Sequence, residues 1–248
     1  MNRLGIIDWG IGGISVYKVL IEQLGELSVT YLSDTGATPY GKMSRRELAD
    51  RLDNAIEFLK TRGVDHLLIG CNAASTSIPD LTDHSIAIQG VIEPAIEMVV
   101  RLRPNDLGLI GGRRTVVSGV YRRGLADRGI RVRQRIAQPL SALIESGDVS
   151  SSELKGITSK IVTPLRECSH ILLACTHYPA IAPVIAANVS AETILVDPAS
   201  ELVDTVREWR IGKGHGAEFL TTGDSRAMRS SAEKAFGVKI GLPIEVMF

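Results

Sequence analysis

The sequence predicts an α/β protein built as two pseudo-symmetric, doubly wound parallel-sheet domains, with the active site in the cleft between them. Three observations carry that prediction. First, short apolar runs end in Gly-rich or polar turns and alternate with amphipathic stretches, the pattern of strand–helix–strand units and a parallel sheet. Second, three such runs recur in order at a nearly fixed offset. Leu4-Gly-Ile-Ile7 matches Leu107-Gly-Leu-Ile110 at 103 residues, while His66-Leu-Leu-Ile-Gly-Cys71 matches His170-Ile-Leu-Leu-Ala-Cys175 and Val91-Ile-Glu-Pro94 matches Leu195-Val-Asp-Pro198, both at 104. One such match is chance, but three in sequence describe two similarly built halves. Third, 248 residues with 44% hydrophobic and 23% charged side chains hold a globular core, and 4% aromatics leave aliphatic residues to fill it.

Taken in order, Leu4–Ile7 reads as a strand that breaks at the turn Asp8-Trp-Gly-Ile-Gly-Gly13 and feeds a helix over 14–24. Val29–Leu32 is the second strand. A long helix follows over 44–62, with Ser44 as its N-cap and Gly63 as its stop. His66–Gly70 and Ile86–Ile92 are the third and fourth strands, and the second half repeats the plan. These boundaries assign residues 1–97 together with 208–248 to one domain and 98–207 to the other. In open parallel sheets, ligands bind outside the carboxyl ends of the strands. Asp8, Cys71 and Glu93 stand at such ends in the first half, as do Cys175 and Asp197 in the second.

Charge narrows the function classes. With 28 basic and 28 acidic residues the chain is formally neutral, which argues against a nucleic-acid partner, since holding a polyanion needs a summed positive field. The basic cluster Arg113, Arg114, Arg122, Arg123, Arg128, Arg131, Arg133 and Arg135 reads as a solvated helix face, with an interface or anion-attracting role as the alternative. The start of the chain reaches Asp8 too soon for a secretory leader. The uncharged run Cys168–Ala191 is interrupted by His170, His177, Pro179, Pro183 and Asn188, so it reads as a strand, a loop and a short helix rather than a membrane span. Three cysteines, none in a CxxC pair, point to a reducing cytoplasm.

A cysteine beside a strand is ordinarily a small packing residue, and Cys168 fits that reading. Cys71 and Cys175 differ: each ends an apolar strand and is followed by polar residues, Asn72 to Ser75 in one case and Thr176-His177-Tyr178 in the other. A helix N-terminus after each turn is expected to draw the thiol pKa from about 8.5 towards neutrality. Two equivalent thiols on opposite walls of a cleft suit inversion of a stereocentre, which needs a base on one face of a carbon and an acid on the other. A nucleophilic hydrolase needs only one thiol and a dedicated His. Gly10-Ile-Gly-Gly13 lacks phosphate-loop spacing. Cys175 and His177 have no second Cys/His pair to complete a metal site, so no metal is expected.

Asp8-x-Gly-x-Gly-Gly13, Asp34-Thr35 with Pro39-Tyr40-Gly41-x-x-Ser44, Cys71-Asn72-x-Ala74-Ser75, Gly90-Val-Ile-Glu-Pro94 and Cys175-Thr-His-Tyr-Pro179 resemble the aspartate/glutamate racemase family, most closely its glutamate racemases. The resemblance is colinear and extends to Thr221-Thr-Gly-Asp224. It implies two α/β domains around a cleft, a homodimer, an acidic amino acid as substrate and no cofactor. By matching position it implies that Cys71 serves the D-enantiomer and Cys175 the L-enantiomer. Asp8, His177 and Glu145 are implied to assist the thiols. Tyr40, Gly41, Asn72, Thr115 and Thr176 are implied to bind substrate, as does Asp8, through the ammonium.

Two departures from the family pattern bear on substrate choice: Trp9 stands where Ser is usual and Ala73 where Thr is usual. Extra bulk and a lost hydroxyl suit aspartate, one methylene shorter than glutamate, so aspartate is the expected substrate and glutamate the alternative. A methylene contributes only about 1–3 kcal/mol of discrimination. The other reading of Trp9 is that it packs beneath the loop. Two more distant functions remain open, a single-thiol lyase or decarboxylase and a noncatalytic amino-acid binder.

Overall fold

The computed structural model describes residues 2–82, 85–214 and 216–248. The first half runs β1 (Leu4–Asp8), α1 (Gly13–Leu24), β2 (Val29–Ser33), α2 (Arg45–Thr61), β3 (His66–Ile69), α3 (Asn72–Ser75), β4 (Ala87–Gly90) and α4 (Ile92–Leu102). The second runs β5 (Leu107–Gly111), α5 (Arg113–Ser118), α6 (Val120–Ala126), β6 (Val132–Ile136), α7 (Gln138–Glu145), α8 (Ser152–Val162), β7 (His170–Ala174), α9 (Ala182–Ala186), β8 (Ile194–Val196) and α10 (Leu202–Glu208). The chain then adds β9 (Ala217–Thr221), α11 (Ser225–Phe236) and β10 (Ile244–Glu245).

Two parallel sheets result, ordered β10-β9-β2-β1-β3-β4 and β6-β5-β7-β8. The order β2-β1-β3-β4 in one is the order β6-β5-β7-β8 in the other. Register repeats as well: Leu4 faces His66 across β1 and β3, and Leu107 faces His170 across β5 and β7. The internal repeat read from sequence is therefore a repeat of topology. The closing strands β9 and β10 extend the first sheet, with β9 pairing along β2 from Val29–Ala217 to Ser33–Thr221.

Alternation along each strand places two layers against each sheet, because successive strand side chains point to opposite faces. Leu4 and Ile6 pack with Ile14, Val16 and Leu20 of α1, whereas Ile7 packs with Leu48, Leu52, Ile56 and Leu59 of α2. In the second sheet Leu109 and Leu172 face Ile96, Val99, Tyr121 and Leu125 on the outer side, while Ile110, Ile171 and Leu173 face inward. The inward residues of both sheets belong to one continuous apolar cluster. Each fully buried Leu or Ile there contributes roughly 1.5–3 kcal/mol from apolar burial.

Local chemistry accounts for the main helix. Ser44 Oγ accepts from Glu47 N while Glu47 Oε2 accepts from Ser44 N at 2.7 Å, closing a capping box at the start of α2. The chain leaves through Gly63 at φ 79°, a left-handed conformation that glycine adopts without a Cβ clash. The fourth strand is shorter than expected. Val91 N donates to Ser75 Oγ at 3.2 Å instead of continuing a ladder, and α4 begins at Ile92 with Pro94 in its first turn, where a missing N–H breaks no helical bond. Cys168–Ala191 forms β7, a turn, a 3-10 helix at Tyr178–Ile181 and the short α9. Among the described residues no helix is long and apolar enough to cross a membrane.

The basic cluster is not one helix face. Arg113 and Arg114 lie on α5, Arg122 and Arg123 on α6, and Arg133 and Arg135 on β6. Arg128 pairs with Glu93 and Glu97 at 2.9 and 2.6 Å. Three separate elements share the charge because the α5–α6 break at Gly119 and the following strand interrupt the helical period.

Candidate active site

The carboxyl ends of β1, β3, β5 and β7 surround a cavity of about 440 Å³. All twelve residues given a catalytic or substrate role from sequence line it. Asp8 and Trp9 come from the turn after β1, Tyr40 and Gly41 from the loop before α2, and Cys71, Asn72 and Ala73 from the end of β3. Across the cavity, Thr115 lies on α5, Glu145 closes α7, and Cys175, Thr176 and His177 follow β7. Glu93 and Asp197 do not line it. Glu93 sits on α4, and Asp197 accepts from Ala199 N at 3.0 Å to cap the next turn.

On the first wall, the Cys71 thiol stands beside the Asp8 carboxyl. Asp8 is held in turn by the backbone: Oδ1 accepts from Trp9 N at 2.7 Å and Oδ2 from Gly13 N at 2.8 Å. Burial raises the Asp8 carboxyl above the usual range, against the lowering influence of His177, Cys71 and Gly13. Burial likewise pushes the Cys71 thiol well above its ordinary value, and the Asp8 charge adds to that push. This corrects the expectation of a depressed thiol pKa. The reason is physical: α3 is a single turn whose Ala74 N–H lowers the value only in part, and the adjacent carboxylate works the other way.

On the second wall Cys175, His177 and Glu145 form a chain of contacts. Cys175 Sγ lies 3.7 Å from His177 Nδ1 and 3.5 Å from Ser141 Oγ. His177 Nε2 lies 2.7 Å from Glu145 Oε2, which also accepts from Ile11 N at 2.9 Å. Burial opposes the imidazolium, but the Cys175 and Glu145 hydrogen bonds outweigh it and raise His177 well above its ordinary value.

The glycines of the β1–α1 turn permit this approach. A Cβ on Gly10 would stand 2.1 Å from Glu145 Oε2, and one on Gly12 would stand 2.5 Å from His177 Nδ1 and 2.6 Å from Asp8 Oδ2. The turn is therefore a close-packing device that lets Asp8 on one wall approach His177 and Glu145 on the other.

Trp9 combines both readings of it. Its ring lines the cavity and packs against the outer core, and its indole Nε1 donates to Ala37 O at 3.1 Å. Cys168 is buried in the core, with its sulfur accepting from Arg133 at 3.1 Å. Sequence reasoning missed Lys42, Gln138 and Ser141 among the lining residues. Ser141 had a signal, since it precedes Glu145 by four residues and so shares its helix face.

The family pattern described as Asp/Glu/Hydantoin racemase matches residues 4–206. Glutamate racemase 1 of Caldanaerobacter subterraneus subsp. tengcongensis is 31% identical over 233 residues, covering 89% of this chain and 87% of that protein. Glutamate racemase from Thermus thermophilus, solved in complex with β-chloro-D-alanine, superposes with a TM-score of 0.85 at 28% identity, covering 99% of this chain and 96% of that one. The aspartate racemase of Picrophilus torridus shares the fold at a TM-score of 0.64 and 18% identity, covering 86% and 96%. These likenesses lend no support to the aspartate preference read from Trp9 and Ala73. The match over most of its length establishes that the chain belongs to the Asp/Glu/hydantoin racemase family, a family of isomerases.

Proposed function

We propose that the protein is a glutamate racemase working by two-base proton transfer between Cys71 and Cys175, without a cofactor. The observation that carries this is the pair of thiols on opposite walls of one cavity, each with its own acid–base partner. In one direction the Cys71 thiolate, its proton taken up by Asp8, removes the Cα proton of D-glutamate. The Cys175 thiol then delivers its proton to the opposite face of the carbanion. In the other direction Cys175, served by His177 and Glu145, abstracts from L-glutamate and Cys71 donates. Asn72, Thr115, Thr176 and the backbone near Tyr40 and Gly41 hold the substrate carboxylates through oriented donors.

Glutamate is favoured over aspartate on two grounds. Two curated relatives, 31% and 32% identical to this chain, are named glutamate racemases. The cavity also remains ample with Trp9 on its wall, because the indole bond to Ala37 O keeps the ring against the loop. The test is incubation of each enantiomer of glutamate and aspartate in heavy water, following Cα deuterium by NMR. Wild type is expected to exchange and racemise glutamate with the higher kcat/KM, and Cys71→Ala and Cys175→Ala are each expected to abolish racemisation. Racemisation surviving either substitution would overturn the two-base mechanism, and a higher kcat/KM for aspartate would overturn the substrate.

A further inference from the structure

We infer that Tyr121, a residue outside the cavity, is a positioning residue that fixes which way the Asn72 amide faces, and so supplies the site with one of its carboxylate donors. This rests on the reading of Asn72 as a substrate binder. Asn72 follows Cys71 directly and is 3% exposed. Its Oδ1 accepts from the Tyr121 hydroxyl at 2.7 Å. Its Nδ2 is buried and has no partner in the protein, while the residue lines the cavity. A buried amide NH2 left without an acceptor is destabilising, so an unmade bond on a residue that lines a cavity marks a place where a ligand atom completes the set. The acceptor that fits two amide hydrogens beside a thiol is a carboxylate oxygen.

The orientation follows from donor counting. Tyr121 is 1% exposed on α6, and its hydroxyl owns one proton. With Oδ1 turned towards it, that proton is used and the NH2 is left without a partner in the protein. With the amide turned over, the NH2 would donate to the phenol oxygen, the phenol proton would lose its acceptor, and Oδ1 would present a lone pair to an anionic substrate. Burial raises the Tyr121 phenol far above its ordinary value, so it stays a donor at every working pH. Asn72 stands in the first half of the chain and Tyr121 in the second. The donor is thus aimed correctly only when the two halves are docked.

Tyr121→Phe removes the hydroxyl and nothing else, which makes it the test, alongside Asn72→Ala and the double variant. Expected is a KM for glutamate raised about 5- to 10-fold by Tyr121→Phe at nearly unchanged kcat, a larger rise for Asn72→Ala, and no further rise when Tyr121→Phe is added to Asn72→Ala. The Asn72 side-chain amide signals, identified in a 15N NMR spectrum by their loss in Asn72→Ala, should shift on adding D-glutamate to wild type and respond only at higher concentration in Tyr121→Phe. A Tyr121→Phe enzyme with wild-type KM and wild-type amide response overturns the inference. So does a KM cost that persists undiminished in the Asn72→Ala background, because Tyr121 would then act by another route. Failure of the racemase reading shows separately, as absent Cα deuterium exchange in wild type.

Discussion

At the scale of single residues, the two thiols differ in what holds their protons. Burial, and then the facing Asp8 carboxylate, raise the proton affinity of Cys71, whereas Cys175 faces an imidazole that keeps its own proton well above the ordinary range. Glu145→Gln separates charge from shape, because a glutamine oxygen at the Oε2 position still accepts from both Ile11 N and His177 Nε2. Removing the negative charge lowers the His177 pKa, because burial is then opposed by Cys175 without the Glu145 charge. The imidazolium is then lost at lower pH, so the alkaline limb of kcat/KM for the L-enantiomer should move down the pH scale, each unit corresponding to about 1.4 kcal/mol. An unmoved limb would remove Glu145 from the proposed acid–base set. Stability follows the same sign. A raised His pKa stabilises the fold fully below about pH 6.5 and ceases to do so as pH rises through the folded value. The stability advantage of wild type over Glu145→Gln is therefore largest in acid and shrinks in alkali. The positions of Asp8, Cys71 and Cys175 at strand ends were legible in sequence, whereas the assisting roles of Asp8, His177 and Glu145 followed only from the family resemblance. Their protonation was not legible, because it depends on the carboxylate that folding brings to Cys71.

At the scale of elements, the cavity wall made by Tyr40 and Gly41 is held from across the cleft. Arg114 on α5 donates from Nε to Tyr40 O at 3.0 Å and from its second terminal nitrogen to Met43 O at 2.6 Å and Ser44 O at 2.9 Å. One guanidinium thereby ties the helix carrying Thr115 to the segment that opens α2. Its fork matches three carbonyls that a lysine ammonium cannot serve with the same geometry. Charged hydrogen bonds of this type contribute about 1.5–3 kcal/mol each and are not additive. Arg114→Ala is expected to raise KM for glutamate about tenfold and to lower the unfolding midpoint by several degrees, with Arg114→Lys recovering only part of either. Steady-state kinetics and calorimetry check this, and a wild-type KM in Arg114→Ala would show that the loop holds its place unaided. No periodicity in the sequence announces Arg114 or Tyr121. Strands and the capped α2 follow from local pattern, but these contacts exist only because two halves of the chain meet, and a run of arginines is read locally as solvated surface.

At the scale of the whole molecule, the cavity and the core make the same demand on the two sheets. Inward residues of β1, β2 and β3 share one apolar cluster with those of β5 and β7 and with α1, α7, α8, α10 and α11, and the chain returns to the first sheet through β9 after finishing the second. Two sheets with a common interior and a shared ligand site should unfold as one cooperative unit, although the topology repeats. Under the proposed function, glutamate touches donors from both halves and so binds only the docked state. At a ligand concentration of 100 times Kd it stabilises that state by about 2.7 kcal/mol, which for a chain of this length corresponds to about 5–10 °C in the midpoint. Scanning calorimetry should therefore give one transition that moves upward as a whole when glutamate is added, and moves much less in Asn72→Ala, where one side of the cleft has lost a donor. Two transitions of which only one responds would mean that the halves melt independently and that the shared cluster does not couple them. A single rising transition would place the cost of separating the halves, rather than the stability of either sheet, in control of both folding and substrate capture.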